Sequence, residues 1–366
     1  MKFNISKAKV IKDSQNQNQS QNQNQQHKKP YKSRNQQKKH FADKFAFANN
    51  EHFQSLQGSQ NLQHNEDSRR LPAMLNIAVK AAVAAGNLIN KAANQLQYID
   101  LQIEKKNQND FVTIVDKLAE KTIIDIIRKY YPSHNILAEE SGEILGVDSE
   151  NEKSEKSEKS EKAEKSEKSE KSEKNNNSDE AANYQWIIDP LDGTTNFIHG
   201  LPNYAVSIAI RKDETTIFAV VFDPNNNELF TATKGAGAFL NNRRIRVGKA
   251  THLSRSLIGT GFPYRDFSNL EQYLNIFRNL CKTSAGLRRP GAATLDLCNV
   301  ACGRTDGFFE FGLKPWDIAA GSLIVAEAGG LVGDFFGNED YLFKGDIIAA
   351  NPKIFHELIQ IISKNI

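Results

Sequence analysis

The sequence has only three cysteines, Cys281, Cys298 and Cys302, and no Cys-x-x-Cys pair. An odd, sparse set argues against a disulfide scaffold or a zinc ribbon and is typical of a reducing compartment. No apolar run reaches 18 residues and no secretory signal pattern is present, so neither a membrane span nor export is predicted. We therefore expect a cytoplasmic protein with no membrane partner. Cys298 and Cys302 lie in an apolar helical stretch, where we expect core residues.

Apolar residues are also scarce, at 39% of 366 residues, and the mean hydropathy is -0.56. The deficit lies in two stretches. Residues 1–70 are rich in Gln and Asn and carry a net charge of +8, which predicts a disordered basic extension suited to RNA, DNA or an acidic protein. Residues 151–178 repeat Ser-Glu-Lys, which predicts a solvated insert that is dispensable for activity. The folded region is then 71–366, interrupted by 151–178.

The remaining residues alternate between helical and strand patterns. The first helical pattern opens at Met74, so translation could start there or at Met1. Further helices are predicted over 117–131, 268–283, 293–301 and 318–328, the last ending at Gly329-Gly330. Strands are predicted over 135–138, 185–188, 205–210, 217–221 and 228–233. Helices mixed with hairpins predict an α/β (α+β) layered fold and argue against a barrel or a bundle.

Acidic residues cluster where these elements end. Asp116 begins a helix, Glu139-Glu140 follow a short strand, and Asp317 begins another helix. Each of these has a plain alternative, as a helix cap or an exposed loop pair.

The segment from Trp186 to Thr195 carries the strongest pattern. A buried strand ends at Asp189, Pro190 fixes the exit, and Asp192 follows three residues later. Converging carboxylates with no Cys or His nearby favour a hard divalent cation, Mg²⁺ first and Mn²⁺ second. Gly193 then allows a tight turn, and Thr194 or Thr195 can begin a helix whose free N–H groups suit a phosphate.

These motifs resemble the inositol monophosphatase family. The matching segments are Asp189-Pro-Leu-Asp-Gly-Thr-Thr-Asn-Phe, Trp316-Asp-Ile-Ala-Ala-Gly with Glu327-Ala-Gly-Gly, and Asp306-Gly-Phe-Phe-Glu310. The resemblance covers 71–366 apart from the insert. It implies an αβαβα sandwich and a Mg²⁺-dependent phosphomonoesterase that acts on inositol 1-phosphate, is inhibited by lithium and forms a homodimer. The departures are the extension, the insert and Pro290-Gly-Ala-Ala.

Site roles follow from the same resemblance, residue by residue. Glu139, Asp189 and the carbonyl of Leu191 would hold one metal ion. Asp189, Asp192 and Asp317 would hold a second, and in a three-metal arrangement Glu139 and water would hold a third.

Thr194, hydrogen-bonded to Asp116, would orient the attacking water, and Glu140 would support that arrangement. The N–H groups of Gly193 and Thr194 would hold the phosphate. The other implied substrate contacts are Thr195, Ala293, Glu310 and Asp317, with Arg288 at the edge of the substrate or of the subunit. Lys106 matches a position near the metal site.

Other functions stay open at this stage. Fructose 1,6-bisphosphate, 3′-phosphoadenosine 5′-phosphate, NADP and histidinol phosphate are alternative substrates within the superfamily. The details resemble a bacterial branch whose members also associate with RNA polymerase and elongation factors during ribosomal RNA transcription. A regulatory role of that kind, with the basic extension binding RNA, is the second hypothesis. An organelle-targeting role for residues 1–70 is a weaker third, since their Gln/Asn bias argues against it.

Overall fold

The computed structural model describes residues 67–96, 101–107, 110–147, 184–263 and 266–366. Nearly all of the basic extension and all of the Ser-Glu-Lys insert lie outside these ranges, and so do the predictions made for them. Within the described residues there are eight α-helices: α1 (Asp67–Ala93), α2 (Ile114–Tyr130), α3 (Thr194–Ile198), α4 (Leu270–Thr283), α5 (Ala293–Ala301), α6 (Pro315–Glu327), α7 (Tyr341–Lys344) and α8 (Pro352–Ile362).

The described residues also form fifteen strands: β1 (Glu104–Asn107), β2 (Asp110–Val112), β3 (Asn135–Ala138), β4 (Gly142–Ile144), β5 (Tyr184–Asp192), β6 (Ala205–Lys212), β7 (Thr215–Asp223), β8 (Glu228–Thr233), β9 (Gly237–Leu240), β10 (Arg243–Arg244), β11 (Leu257–Thr260), β12 (Gly286–Arg288), β13 (Gly307–Glu310), β14 (Leu331–Gly333) and β15 (Ile347–Ala350). All five strands expected from the sequence are present. Three of them are longer than expected, and β5 continues through both of its aspartates.

The larger sheet has eight strands in the order β10-β9-β8-β7-β6-β5-β3-β4. Neighbours are antiparallel except β3 and β5, which run parallel with Ala138 opposite Ile188. The carboxyl ends of these two parallel strands therefore lie side by side. Glu139, which follows β3, and Asp189, which follows Ile188 within β5, therefore lie side by side at this edge of the sheet.

Helices α1 and α2 pack on each other and cover one face of this sheet. The buried residues of α1 are spaced three or four positions apart, as an amphipathic helix requires; they include Met74, Ala78, Ala82, Ala85 and Ile89. By length and composition, Ala73–Ala93 could cross a membrane. Because its apolar face is buried against β6, β7 and α2, we interpret α1 as a core helix of this fold.

The other face of the larger sheet packs on α5 and α6, and α5 also contacts the second sheet. That sheet has five strands in the order β12-β11-β13-β15-β14, and α4 and α8 cover its far side. Because α5 and α6 are enclosed between layers, they are apolar on nearly every side, with Leu297, Ile324 and Val325 fully buried. The αβαβα sandwich predicted from the sequence is therefore confirmed.

Some boundaries differ from the expectations. Helix α1 begins at Asp67, seven residues before Met74, so its first turns precede the second methionine. Helix α6 begins at Pro315, before the predicted range 318–328, because proline is favoured in the first turn of a helix.

The cysteines differ in burial. Cys298 is a core residue as expected, whereas Cys302 caps the end of α5 and is only partly buried. Cys281 is exposed.

Candidate active site

A β-bulge in β5 turns two aspartates toward the same side of the sheet. Asp189 pairs with Ser207 and Asp192 with Ala205, so three steps along β5 match two along β6. The extra residue cancels the alternation that would otherwise place Asp189 and Asp192 on opposite faces. Proline is tolerated here because Pro190 lies where the ladder is interrupted. The N–H of Leu191 donates to Asp189 Oδ1 at 2.9 Å and fixes the bend.

The same face of the sheet meets the beginning of α6. Ser207, opposite Asp189, donates its hydroxyl to the carbonyl of Trp316 at 3.3 Å. The next residue is Asp317, whose Oδ2 accepts the N–H of Lys314 at 2.7 Å. Asp317 is therefore the third residue of α6, where it closes the first turn, and it also lies beside the β5 aspartates.

Asp192 reaches the start of α5. Its Oδ2 accepts the N–H of Thr294 at 2.7 Å, and Thr294 Oγ1 donates to the carbonyl of Asp317 at 2.8 Å. The beginnings of α5 and α6 are thus joined through this aspartate and this threonine. A carboxylate at a helix N-terminus is also favoured by the helix dipole.

Two glutamates follow β3, and Lys106 of β1 is paired with both. Lys106 Nζ lies 3.1 Å from Glu139 Oε1 and 2.6 Å from Glu140 Oε1. Burial alone would lower the pKa of Lys106, but attraction to these carboxylates outweighs it and raises the pKa. Glu120 of α2 accepts the N–H of Glu140 at 2.8 Å and so holds the turn after β3 against α2. Burial raises the pKa of Glu140 to about 7, despite the hydrogen bond from Lys106.

Buried Asp116 pairs with Thr194, which is partly exposed. Asp116 Oδ2 accepts the N–H of Thr113 at 2.9 Å and closes a capping box at the start of α2. Its other oxygen, Oδ1, accepts the hydroxyl of Thr194 at 2.8 Å. Asp116 is therefore both a helix cap and a site residue, so the two interpretations of it coincide. Burial raises its pKa to about 6, although the hydrogen bonds from Thr113 and Thr194 oppose that shift.

Gly193 provides the turn that brings Thr194 to Asp116. Its φ is +93°, and a Cβ there would lie 2.8 Å from the carbonyl oxygen of Asn203. Only glycine fits both the backbone angle and this close approach. The short helix α3 then begins at Thr194, as the sequence predicted.

These elements surround one cleft of about 340 Å³. All five proposed metal ligands line it, namely Glu139, Asp189, Leu191, Asp192 and Asp317. Burial, with repulsion from Glu139 and Asp192, raises the pKa of Asp189 well above its usual range. Burial and repulsion from Asp317 raise the pKa of Asp192 to about 8. The carboxylates therefore repel one another across the cleft.

Their chemistry fits a hard divalent cation, since every side-chain donor is a carboxylate oxygen and mutual repulsion favours a cation between them. Among the described residues, however, no group of three His, Cys, Asp or Glu side chains is already arranged to hold one ion. Glu139 is engaged by Lys106, and the carbonyl of Leu191 would have to complete a ligand set. The donor types fit Mg²⁺, whereas a closed coordination sphere is not preformed.

Most of the substrate contacts implied by the resemblance line the cleft. They are Asp317 and five others, namely Gly193, Thr194, Thr195, Ala293 and Glu310. Arg288 does not line it, because its exposed side chain ends the edge strand β12 and donates to the carbonyl of Leu287. The adjacent Arg289 lines the cleft instead, with its guanidinium 4.0 Å from the ring centroid of Phe262. Of the two adjacent arginines, Arg289 therefore borders the cleft, and the role expected for Arg288 stays a prediction.

The sequence interpretation missed Asp296 and Arg289 as lining residues. Asp296 is buried on α5, with 2% of its surface exposed. Its sequence signal was a lone acid within the apolar run Ala293–Ala301, which is unusual for a core helix. Arg289 lies beside another arginine, and periodicity does not distinguish which of the two turns inward.

The fold of this chain agrees with the family comparison. It is layered, and its acidic cleft lies at the ends of two parallel strands. The model of the Inositol monophosphatase family matches residues 71–366, and the chain belongs to this family. The Nus factor SuhB of Pseudomonas aeruginosa is 47% identical over 295 residues, which are 80% of this chain and 97% of that protein.

Two solved structures support the same placement. The extragenic suppressor protein suhB from Bartonella henselae has a TM-score of 0.68 and 38% identity, covering 80% of this chain and 100% of that one. The inositol monophosphatase from Anabaena (Nostoc) sp. PCC 7120 has a TM-score of 0.61 and 34% identity, covering 81% and 97%.

Proposed function

We propose that this protein is a Mg²⁺-dependent phosphatase that hydrolyses inositol 1-phosphate to inositol and phosphate. One observation carries the proposal: the four carboxylates of the proposed metal site line a single cleft together with Thr194, whose hydroxyl donates to Asp116. Carboxylates that repel one another weaken a fold, so their convergence favours a role in binding cations.

Proton movement is assigned to Asp116 and Thr194. With a pKa of about 6, Asp116 is mostly ionised at neutral pH. Thr194 Oγ1 donates to it and also lies 3.0 Å from the carbonyl oxygen of Leu191. A water that gives its proton to Thr194 Oγ1, as that hydroxyl passes its own proton to Asp116, is activated to attack phosphorus. Glu140 supports this arrangement from the neighbouring turn.

In this proposal Glu139, Asp189 and the Leu191 carbonyl hold one Mg²⁺, and Asp189 with Asp192 and Asp317 holds a second. Mn²⁺ is the alternative ion. When bound, Mg²⁺ would polarise the phosphate and stabilise charge on the leaving oxygen.

The backbone N–H groups of Gly193 and Thr194 orient the phosphate. Thr195, Ala293 and Glu310 border the remaining space, which the leaving group would fill. Buried Glu310 favours a hydroxyl-rich ring, and the relative from Anabaena is named an inositol monophosphatase. The proposal includes a homodimer and a cytoplasmic location. Light scattering of the purified chain tests the homodimer.

The test is phosphate release from inositol 1-phosphate by the full chain, with Mg²⁺, without it, and with added lithium. We expect turnover that requires Mg²⁺ and falls as lithium is added. The other superfamily esters should be turned over more slowly. If a folded, Mg²⁺-binding chain releases phosphate from none of them, the proposal is wrong.

A regulatory role in transcription is the second candidate. It is favoured by the 47% identity with a protein named Nus factor SuhB. In this case the chain would associate with RNA polymerase, and the basic extension would add affinity for RNA. Removing residues 1–66 preserves α1, so the truncated chain is a matched control. We expect RNA affinity to fall steeply with salt and to vanish on truncation; affinity that survives would contradict the role assigned to the extension.

A further inference from the structure

A buried histidine stacks on two tyrosine rings just before β3. His134 has 5% of its surface exposed, and its ring centroid lies 4.7 Å from that of Tyr131 and 4.9 Å from that of Tyr184. The indole N–H of Trp186 donates to His134 Nδ1 at 3.0 Å. An indole N–H can only donate, so this ring nitrogen carries no proton in the folded chain. The contact therefore requires a neutral imidazole, whose proton is on Nε2.

The same histidine joins the two strands that carry Glu139 and Asp189. Trp186 is a fully buried residue of β5 and lies opposite Ile136 of β3. His134 directly precedes β3. The hydrogen bond between His134 and Trp186 therefore holds the beginning of β3 against β5, at the end of this strand pair that is farther from the cleft.

The contact also lies where the chain leaves for the Ser-Glu-Lys insert and where it returns. On the outgoing side, the N–H of Val147 donates to the carbonyl of Pro132 at 3.0 Å. On the returning side, β5 begins at Tyr184, which stacks on His134. Arg128 of α2 closes the same turn by donating to the carbonyls of Pro132 and His134, both at 2.6 Å. This turn therefore binds described residues on both sides of the insert.

A proton on Nδ1 of His134 is unfavourable in these surroundings. It would convert the acceptor into a second donor facing the buried indole N–H, and a buried donor without an acceptor is costly. Two cations add repulsion: the guanidinium of Arg128 binds the His134 carbonyl, and Lys212 Nζ of β6 lies 5.3 Å from the Tyr184 ring centroid. The phenols of Tyr131 and Tyr184 are uncharged in acid, and their ring faces attract an imidazolium without supplying an acceptor in its plane. A charged His134 is therefore more stable when it moves away from Trp186 toward water.

We propose that His134 and Trp186 form an acid-sensitive latch, which holds β3 to β5 beside the insert while His134 is neutral and opens when His134 takes up a proton. An imidazole in water titrates near pH 6.5, so the open state gains population as the pH falls below about that value. At neutral pH the latch is closed, and the strands that carry Glu139 and Asp189 stay paired. The inference goes beyond the proposed phosphatase activity, because it concerns strand pairing and needs no substrate.

Amide hydrogen exchange of the full chain, followed by mass spectrometry, measures the opening of the latch. Excess Mg²⁺ is present throughout, and the rates are corrected for the intrinsic effect of pH on exchange. Peptides that cover β3 and the first half of β5 report on the latch, and a peptide that covers β13 in the second sheet is the internal reference. Between about pH 7.5 and about pH 5.5, we expect the opening constant of β3 and β5 to rise about tenfold relative to that of β13.

His134→Asn is the matched variant, because its amide oxygen can accept the Trp186 N–H and takes up no proton in this range. Its opening constant should change by less than about twofold over the same pH interval, even if its stability at neutral pH is lower. Trp186→Phe removes the donor and should also reduce the response to acid. This second variant serves if His134→Asn does not fold.

The outcomes separate this inference from the phosphatase proposal. No response in the wild type, or an equal response in His134→Asn, would overturn the latch. A response of β13 as large as that of β3 and β5 would overturn it too, since the whole fold would then be opening. Phosphate release does not enter the measurement. A wild-type chain that shows the response of His134 but hydrolyses no phosphate ester would contradict the phosphatase proposal alone.

Discussion

The two halves of the cleft differ in how their carboxylates are held. The phosphoryl half comprises Glu139, Asp189, Asp192, Thr194 and Asp317. The leaving-group half comprises Gly261, Arg289, Asp296 and Glu310. In the first half, backbone N–H groups donate to the aspartates within the fold itself. In the second, an oxygen of Asp296 has no such donor in the described chain. Asp189, Asp192 and Asp317 are thus held by hydrogen bonds within the chain, whereas Asp296 Oδ1 is not.

The largest expected effect comes from removing one charge in the phosphoryl half. Asp192→Asn should lower kcat/KM by about a thousandfold or more, because a preorganised carboxylate is lost. The amide oxygen still accepts the Thr294 N–H, so the melting temperature should be maintained. Asp192→Ala removes that cap as well and should destabilise the fold by about 1 kcal/mol. Equal activity in Asp192→Asn and the wild type would contradict the metal assignment.

The proton-transfer pair should give the next largest effect. Thr194→Val keeps the shape of the side chain but removes the hydroxyl that donates to Asp116, and kcat should fall about a hundredfold. Thr194→Ser is the matched control, since it retains the hydroxyl and should stay within about tenfold of wild type. Steady-state kinetics measures both variants, and a valine variant as active as the serine variant would remove Thr194 from the mechanism.

A change in the leaving-group half should act mainly on KM. Gly261→Ala places a methyl group where the Glu310 carboxyl lies, so that side chain must move. We expect the KM for inositol 1-phosphate to rise about tenfold with a smaller change in kcat. Adding Glu310→Asp shortens the displaced side chain and should restore part of the loss. If the double variant shows no recovery, the effect of Gly261→Ala is not transmitted through Glu310.

The stability of the fold in Mg²⁺-free buffer should depend on pH, because carboxyl groups in and beside the phosphoryl half have raised pKa values. The folded-state pKa values of Asp192 and Glu140 are raised to about 8 and about 7. Stability is therefore lost as the pH rises from the ordinary carboxyl pKa of about 4 to these raised values, so the melting temperature should fall between about pH 4 and about pH 8 and level off above that. Excess Mg²⁺ should reduce this dependence, because the cation stabilises the ionised carboxylates. A melting temperature that rises over the same range without Mg²⁺ would contradict the assignment.

The smallest effect is expected from the insert. Glu139 and Asp189 are positioned by direct pairing of β3 with β5, and the N–H of Glu139 donates to the carbonyl of Ile188 at 3.1 Å. Deleting 151–178 leaves that pairing intact, so kcat/KM should change by less than about tenfold, or about 1.4 kcal/mol. A larger loss, with an unchanged melting temperature, would show that the insert contributes to the phosphoryl half.

The same contrast explains which parts of the site could be predicted. The layered fold and the phosphoryl half could be inferred because Asp189 and Asp192 lie in one short motif and each remaining acid follows a recognisable strand or begins a helix. Of the leaving-group half only Glu310 was predicted, since this half combines single residues that follow β11 and β12 with others from α5 and β13. Asp296 lies in a helix whose apolar pattern predicts burial without showing that one side borders a cleft. Which of Arg288 and Arg289 borders the cleft depends on where the edge strand β12 ends, and no periodicity in the sequence specifies that position.

Three carboxylates of the site also accept hydrogen bonds from backbone N–H groups at the starts of helices. Asp116 closes the first turn of α2, Asp317 that of α6, and Asp192 binds the N–H of Thr294 at the start of α5. Selection for these helix starts would therefore retain a hydrogen-bond acceptor at each of the three positions, as aspartate or asparagine. A descendant that acquired another role and no longer hydrolysed phosphate esters would still keep these acceptors in its cleft, because losing one would loosen the start of a helix. In such a lineage, the first catalytic groups to drift would be those that hold no helix, such as the hydroxyl of Thr194.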